Sequence, residues 1–352
     1  MPITETLFIT SLALLIFPLA IWGFKHLPSE RWQMLATMPS KRQGAGWSGT
    51  NLTFYGLFSA MAYTFAAALF TLLMGTVGTA PLTVMAAAVP ILAICIPASR
   101  WLAIAVEKKR HTFTVGGASF VGILIAPWVL LAVNTWGFHF GITPMPCLPA
   151  LAALAIAYAF GEGLGRLACL SFGCCYGKPI SALSPKLMPW VRPFALIFSG
   201  DTKKIVYASD LSGEPVVPVQ AMTLIICCAT GLIATALFLR GHMIAASLLP
   251  LAVTQIWRVI SEWLRADHRG NPSRFSAYQL MALAALPYAA ITACSLAPSP
   301  SVRPTLSQGI LTLWHPGVLL SLQLLWGIVF LYTGRSEVTG ATLQFHIHRE
   351  KI

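Results

Sequence analysis

Gly161-Glu162-Gly163-Leu164-Gly165-Arg166-Leu167-Ala168-Cys169-Leu170-Ser171-Phe172-Gly173-Cys174-Cys175-Tyr176-Gly177 closes the apolar run 148–160. Extended to residue 170, the run reaches the roughly 20 residues that a membrane-spanning helix needs. An arginine so near the hydrocarbon region is costly and marks a functional position. Glu162 stands four residues before Arg166, the spacing of an ion pair on one helical face. Glycines at 161, 163 and 165 let another backbone, or a lipid headgroup, come close. Two readings stand side by side: a small-residue packing seam with a self-satisfied ion pair, or a polar site inside the membrane.

The composition around this stretch sets the class. Of 352 residues, 57% are hydrophobic and only 10% charged, against about 25% charged in a soluble domain. The chain therefore reads as an all-α polytopic membrane protein. A net charge of +12 is not a nucleic-acid signal here. No Arg- or Lys-rich helix or aromatic-interleaved basic patch occurs, and the charges fall between apolar runs, where they set orientation against the membrane. The eight cysteines sit mostly inside apolar runs and show no disulfide framework.

Nine spans are predicted, at 7–24, 52–74, 82–106, 116–133, 147–170, 218–239, 242–264, 275–296 and 310–332. The flank before the first lacks the basic region of a signal peptide, so it counts as a helix. A polar, amphipathic connector, 25–50, follows it. Residues 171–217 are the one long polar insertion, rich in proline, and read as a small headpiece over the membrane-embedded site. The implied organisation is an added helix and connector over 1–50, a seven-helix core over 51–297, and a linker, added helix and polar tail over 298–352. The headpiece lies between core helices 4 and 5. The tail histidines, His346 and His348, read as a solvated end.

A second charged stretch, Thr254-Gln255-Ile256-Trp257-Arg258-Val259-Ile260-Ser261-Glu262-Trp263-Leu264-Arg265, puts Arg258, Glu262 and Arg265 on one stripe of an apolar helix. Such a stripe must face a protein-lined, hydrated cavity. With Arg166 and Arg100 it supplies more guanidinium groups than carboxylates. That excess suits a phosphodiester, whose oxygens a planar guanidinium binds in pairs. A structural ion-pair lattice is the competing reading.

These two stretches together resemble the prolipoprotein diacylglyceryl transferase family. Gly165 through Gly177 is similar to the family signature, and Tyr55-Gly56, Gly116-Gly117-Ala118-Ser119-Phe120, Pro218-Val219-Gln220 and Gln279 fall in the family's order, with Arg100 where it has an arginine. The resemblance covers about 51–296. It implies transfer of a diacylglyceryl group from phosphatidylglycerol, or another anionic glycerophospholipid, to an acceptor. By family the acceptor is a lipoprotein cysteine thiol; another acceptor is the alternative. It also implies a bacterial cytoplasmic (inner) membrane location, no cofactor and no metal. The catalytic positions it implies are Arg166, Arg258, Glu262 and Tyr55; Arg100, Cys169, Gly177, Gln220, Arg265 and Gln279 are the substrate-binding ones. Arg166 and Arg258 are to hold the phosphate, Glu262 to orient Arg258 or accept a proton, Tyr55 to bond the headgroup, and Gly177 to let the headpiece turn sharply.

The departures are specific. The family's histidine is Val121 here, its signature asparagine is Cys169, its acidic residue is Cys174, and the tyrosine four before Arg258 is Thr254. Cys169, Cys174 and Cys175 are open to two readings, a thiol in the chemistry or close helix packing. A zinc site from the three is disfavoured because adjacent cysteines rarely present both sulfurs to one ion. The rival function is a non-catalytic phospholipid-binding or lipid-translocating homologue. Finally, Lys and Arg divide eighteen to two between the two sets of connectors. By the positive-inside rule the headpiece and carboxyl terminus are expected in the cytoplasm, the inverse of the resembled family.

Overall fold

The computed structural model describes residues 3–108, 114–267, 275–296 and 303–352. In chain order its elements begin with helix α1 (Ile3–His26), strands β1 (Met34–Gln43) and β2 (Gly46–Thr53), then α2 (Phe54–Thr76), α3 (Pro81–Glu107), α4 (Val115–Trp136), α5 (Cys147–Leu164) and α6 (Arg166–Phe172). The headpiece follows with α7 (Met188–Val191), β3 (Leu196–Ile197), α8 (Lys204–Ser209) and β4 (Pro215–Val216). The chain then runs through α9 (Val219–Leu239), α10 (Met243–Leu264), α11 (Ala277–Ser295), α12 (Leu306–Leu313), α13 (Pro316–Gly334) and β5 (Arg335–Leu343). Among the described residues nine helical spans are long and apolar enough to cross a membrane, α5 and α6 together making one of them. The basic residues read at 109, 110, 269 and 274, and most of the linker after α11, lie outside the described residues.

Apolar side chains cover the outside of the bundle. Leu14, Trp101, Trp128, Ile291 and Leu320 are all exposed, an arrangement that suits hydrocarbon rather than water. The centre belongs to α5–α6, whose most apolar stretch is 72% buried, against 17% for α1 and for α13. Small residues explain this. Ala150, Ala152, Ala153 and Ala159 are fully buried, and a Cβ on Gly163 would lie 2.6 Å from Cys228 Sγ. Helices α2, α9 and α10 can therefore pack directly on α5. The two outer helices dock on this core: α1 against α9, and α13 against α2 where Gly56 meets Gly334.

The last span begins later than its hydropathy suggests. The apolar run from 310 is broken at His315-Pro316 into α12 and α13, because Pro316 opens a new helix and His315 Nδ1 caps it by accepting from Gly317 N–H. Both pieces pack against α2, with Gly309 lying on the Leu72 carbonyl.

The connectors are more structured than a polar reading implies. The segment after α1 folds as a β1–β2 hairpin, reversed at Gly44 (φ 59), and the tail after α13 adds β5 to make an antiparallel sheet in the order β1-β2-β5. The amino-terminal connector and the tail are thereby tied to one end of the bundle. The headpiece joins the same end: Ser171 Oγ bonds the Trp32 carbonyl at 2.5 Å, Gly177 bridges Arg265, and Lys178 N–H donates to Leu264 O at 2.9 Å. Tyr278 Oη on α11 donates to Glu107 at the end of α3 at 2.9 Å. The described parts of these connectors, namely the β1–β2 hairpin, the headpiece, β5 and the helix ends at Glu107 and Arg265, thus lie toward one end of the bundle.

Lys203 fastens the headpiece. Fully buried, its Nζ donates to the carbonyls of Leu27, at 2.9 Å, and Ser171. Burial pushes its pKa down to about 7, against a smaller opposing pull from Glu30. The fold therefore favours the neutral amine. That contribution is fully present above the unfolded value of about 10.4 and is lost as pH falls toward about 7. The thermal midpoint of the purified protein is expected to rise between about pH 7 and pH 9. Lys203→Met should flatten that rise and lower the midpoint at the alkaline end, with roughly 1–3 kcal/mol lost from the two stranded carbonyls.

Candidate functional site

Tyr158, Glu162 and Arg166 succeed one another at intervals of four along the α5–α6 span, so they share one face of it. From the opposite side α10 brings in Arg258. The result is a buried cluster centred on one carboxylate. Arg166 Nη2 donates to Glu162 Oε1 at 2.6 Å. Arg258 Nη2 lies 2.7 Å from both Glu162 oxygens. Tyr158 Oη donates to Glu162 Oε2, and itself accepts from Arg258 Nη2 at 3.0 Å and from Gln255 Nε2 at 3.2 Å. Glu162, Arg166 and Arg258 are each no more than 8% exposed.

Charge and hydrogen bonding both leave a surplus here. Two guanidinium groups face one carboxylate, a local excess of one positive charge. The Nε–H groups of Arg166 and Arg258 are buried with no partner among the described residues. Buried donors are nearly always satisfied, so the pair is suited to an anion that bridges them.

Tyr158, Glu162 and Arg166 of the cluster line the polar end of a cavity of ≈ 340 Å³, with Arg258 behind Glu162 outside the lining; the volume is within the range of small-ligand sites. Glu162, Arg166, Tyr55 and Cys169 line this end, while Ala66, Phe70, Ile91, Leu92, Ile123 and Leu154 make the walls apolar. The added helix α13 closes one side with Val329, Tyr332 and Thr333.

The sequence candidates fall into three groups. Arg166, Arg258, Tyr55 and Cys169 come together at or beside the cavity's polar end; the Tyr55 ring packs edge-on against Phe172 at 5.6 Å. Gln220, Gly177 and Arg265 form a ring of support. Buried Gln220 Nε2 holds the Cys174 carbonyl at 2.9 Å. Arg265 makes a two-point bond to Asp267, 2.7 Å at each oxygen. Gly177 takes no left-handed turn; a Cβ there would lie 2.3 Å from the Val217 carbonyl, so close backbone approach demands glycine. Arg100 and Gln279 are placed apart. Arg100 is half-buried on α3 outside the cavity lining. Gln279 completes the capping box of α11 with Ser276, and its Nε2 holds the Val259 carbonyl at 3.0 Å.

The carboxylate that orients Arg258 is Glu162, on another helix, while Glu262 is half-buried one turn beyond Arg258. The hydroxyl that reaches Arg258 comes from Tyr158; Thr254 turns back on its own helix to the Pro250 carbonyl at 2.7 Å. Sequence reasoning passed over Tyr158 and Gln255. The spacing 158, 162, 166 was the signal that could have found the first. Nor do the cysteines at 174 and 175 point apart: the three sulfurs of Cys169, Cys174 and Cys175 lie within 4.8 Å of one another.

A family model described as prolipoprotein diacylglyceryl transferase matches residues 47–295, well over half of the chain. The matched stretch holds seven of the nine spans and leaves out α1 and α13. Among curated proteins none matches.

Proposed function

The chain belongs to the prolipoprotein diacylglyceryl transferase family, and from that premise we propose that it moves a diacylglyceryl group from phosphatidylglycerol, or a like anionic glycerophospholipid, to an acceptor. The observation that carries this reading is the Arg166–Glu162–Arg258 cluster, with its excess positive charge and two unpartnered Nε–H groups, at the end of an apolar cavity. A lipid phosphate fits the first feature and the start of its acyl chains fits the second. In the reaction the glyceryl carbon–oxygen bond breaks and the electron pair leaves with glycerol phosphate. The two guanidiniums stabilise the charge that gathers there. Glu162, braced by the Tyr158 hydroxyl, holds them in place, and Tyr55 offers its hydroxyl to the headgroup.

Purified protein in phosphatidylglycerol vesicles with a thiol acceptor is expected to release glycerol phosphate and form a thioether. Retention of the lipid without release, over a range of acceptors, would favour the second reading, a phospholipid-binding or lipid-translocating homologue. Val121, where the family has a histidine, is the residue that favours it.

The orientation is part of the proposal. Among the described residues, the basic hairpin connector, headpiece and carboxyl-terminal strand lie on one face. By the positive-inside rule that face is cytoplasmic, and the acceptor is then reached from the inner leaflet of the bacterial cytoplasmic membrane. Reporter fusions within 199–212 and after residue 352 are expected to be active only as cytoplasmic reporters. Alkaline-phosphatase activity at both places would restore a periplasmic headpiece and a lipoprotein acceptor.

A further inference from the structure

Three thiols stand beside the cluster and take no part in the steps above. Cys169 lies on α6 and lines the cavity; Cys174 and Cys175 follow it in the loop. Two left-handed residues, Gly173 at φ 72 and Cys175 at φ 59, fold that loop back on the helix. Gln220 fixes it by holding the Cys174 carbonyl at 2.9 Å. The reversal defeats the usual divergence of neighbouring cysteines and brings the three sulfurs within 4.8 Å of one another.

The spacing fits a shared cation. Cys169 Sγ and Cys175 Sγ are 3.8 Å apart. Two thiolates bound tetrahedrally to one zinc, each at about 2.3 Å, stand roughly 3.8 Å apart, whereas a disulfide needs about 2.05 Å. Among the described residues the group stops at three potential ligands. Three protein ligands with one open position is the arrangement of a zinc site that handles a substrate. Arg166, Lys204 and Arg265 lie within electrostatic reach of the sulfurs, so the negative charge of a tri-thiolate zinc is offset. No histidine lines the cavity among the described residues, so none stands there to take a proton from an incoming thiol.

We propose that Cys169, Cys174 and Cys175 bind a zinc(II) ion whose fourth position takes the acceptor thiol. The second half rests on the transferase reading; the metal site itself does not. A thiol on zinc gives up its proton to water at neutral pH. Its sulfur then forms the carbon–sulfur bond to the glyceryl carbon as the carbon–oxygen bond breaks and glycerol phosphate leaves with the pair.

The test uses the full chain purified in detergent under reducing conditions. About one zinc per chain is expected, together with thiolate-to-cobalt charge-transfer absorption after cobalt(II) exchange. A cysteine-containing peptide should shift the cobalt bands, and a serine analogue should not. Cys169→Ser, the double variant Cys174→Ser with Cys175→Ser, and the triple serine variant at all three positions should lose the metal and the absorption, while Cys294→Ser at an exposed site keeps both. Freely titrating thiols with no bound metal, or metal retained in the triple serine variant, overturns the site. Cobalt bands that ignore the peptide overturn the acceptor role. Undiminished glycerol phosphate release by the triple serine variant overturns the zinc-held acceptor and leaves the transferase standing. Zinc bound without any release leaves the metal site standing and overturns the transferase reading.

Discussion

Arg258→Ala is expected to lower glycerol phosphate release by at least about 100-fold, the usual loss when one preorganised charge donor is removed from a site. The fold should survive the change. Glu162 keeps Arg166 at 2.6 Å, so the remaining pair is balanced and no buried charge is stranded. What disappears is the excess: the cluster falls from one net positive charge to none, and with it the reason a phosphate would settle there. Arg258→Lys should do little better. One ammonium cannot reach both Glu162 oxygens and the Tyr158 hydroxyl while also turning an N–H toward a ligand, as the guanidinium does. Arg166→Ala should behave alike. Turnover at the wild-type rate in either alanine variant, with an unchanged thermal midpoint, would remove the phosphate clamp from the mechanism.

Glu162→Gln doubles the local excess of positive charge and should damage the fold rather than the chemistry alone. It leaves Arg166 and Arg258 buried side by side with no carboxylate. Breaking a buried pair in this way costs on the order of 3–5 kcal/mol. The variant is expected to unfold well below the wild type in a neutral detergent. An anionic lipid should recover part of that loss, because its phosphate supplies the missing negative charge, and a zwitterionic lipid should recover much less. Equal recovery by both would mean that the two arginines do not meet a lipid phosphate.

Much of the membrane architecture could be read from the chain, because hydrocarbon admits few alternatives. Runs such as 52–74 and 218–239 must be helices, since no other open segment satisfies its own backbone there. The pair Glu162–Arg166 was legible for the same reason: four residues along a helix is one turn, whatever surrounds it. The capping box at Ser276 and Gln279 was equally legible in principle, as a serine followed three residues later by glutamine. The break at Pro316 was another local signal, hidden by the smooth hydropathy around it.

Local periodicity and charge determined the number of spans, the alternation of basic and neutral connectors, and the presence of three arginine-bearing spans. These follow from the cost of polar groups in lipid and from the turn of a helix, and neither depends on what packs beside it. The partner of Arg258 lies on another helix, 96 residues earlier in the chain, and only the packing of α10 on the small residues of α5 selects Glu162 over the nearer Glu262. The sheet joining residues 46–53 to 335–343, and the gathering of three sulfurs by two left-handed residues, are likewise tertiary outcomes. No spacing rule in the sequence specifies them, because each depends on where the chain returns in space.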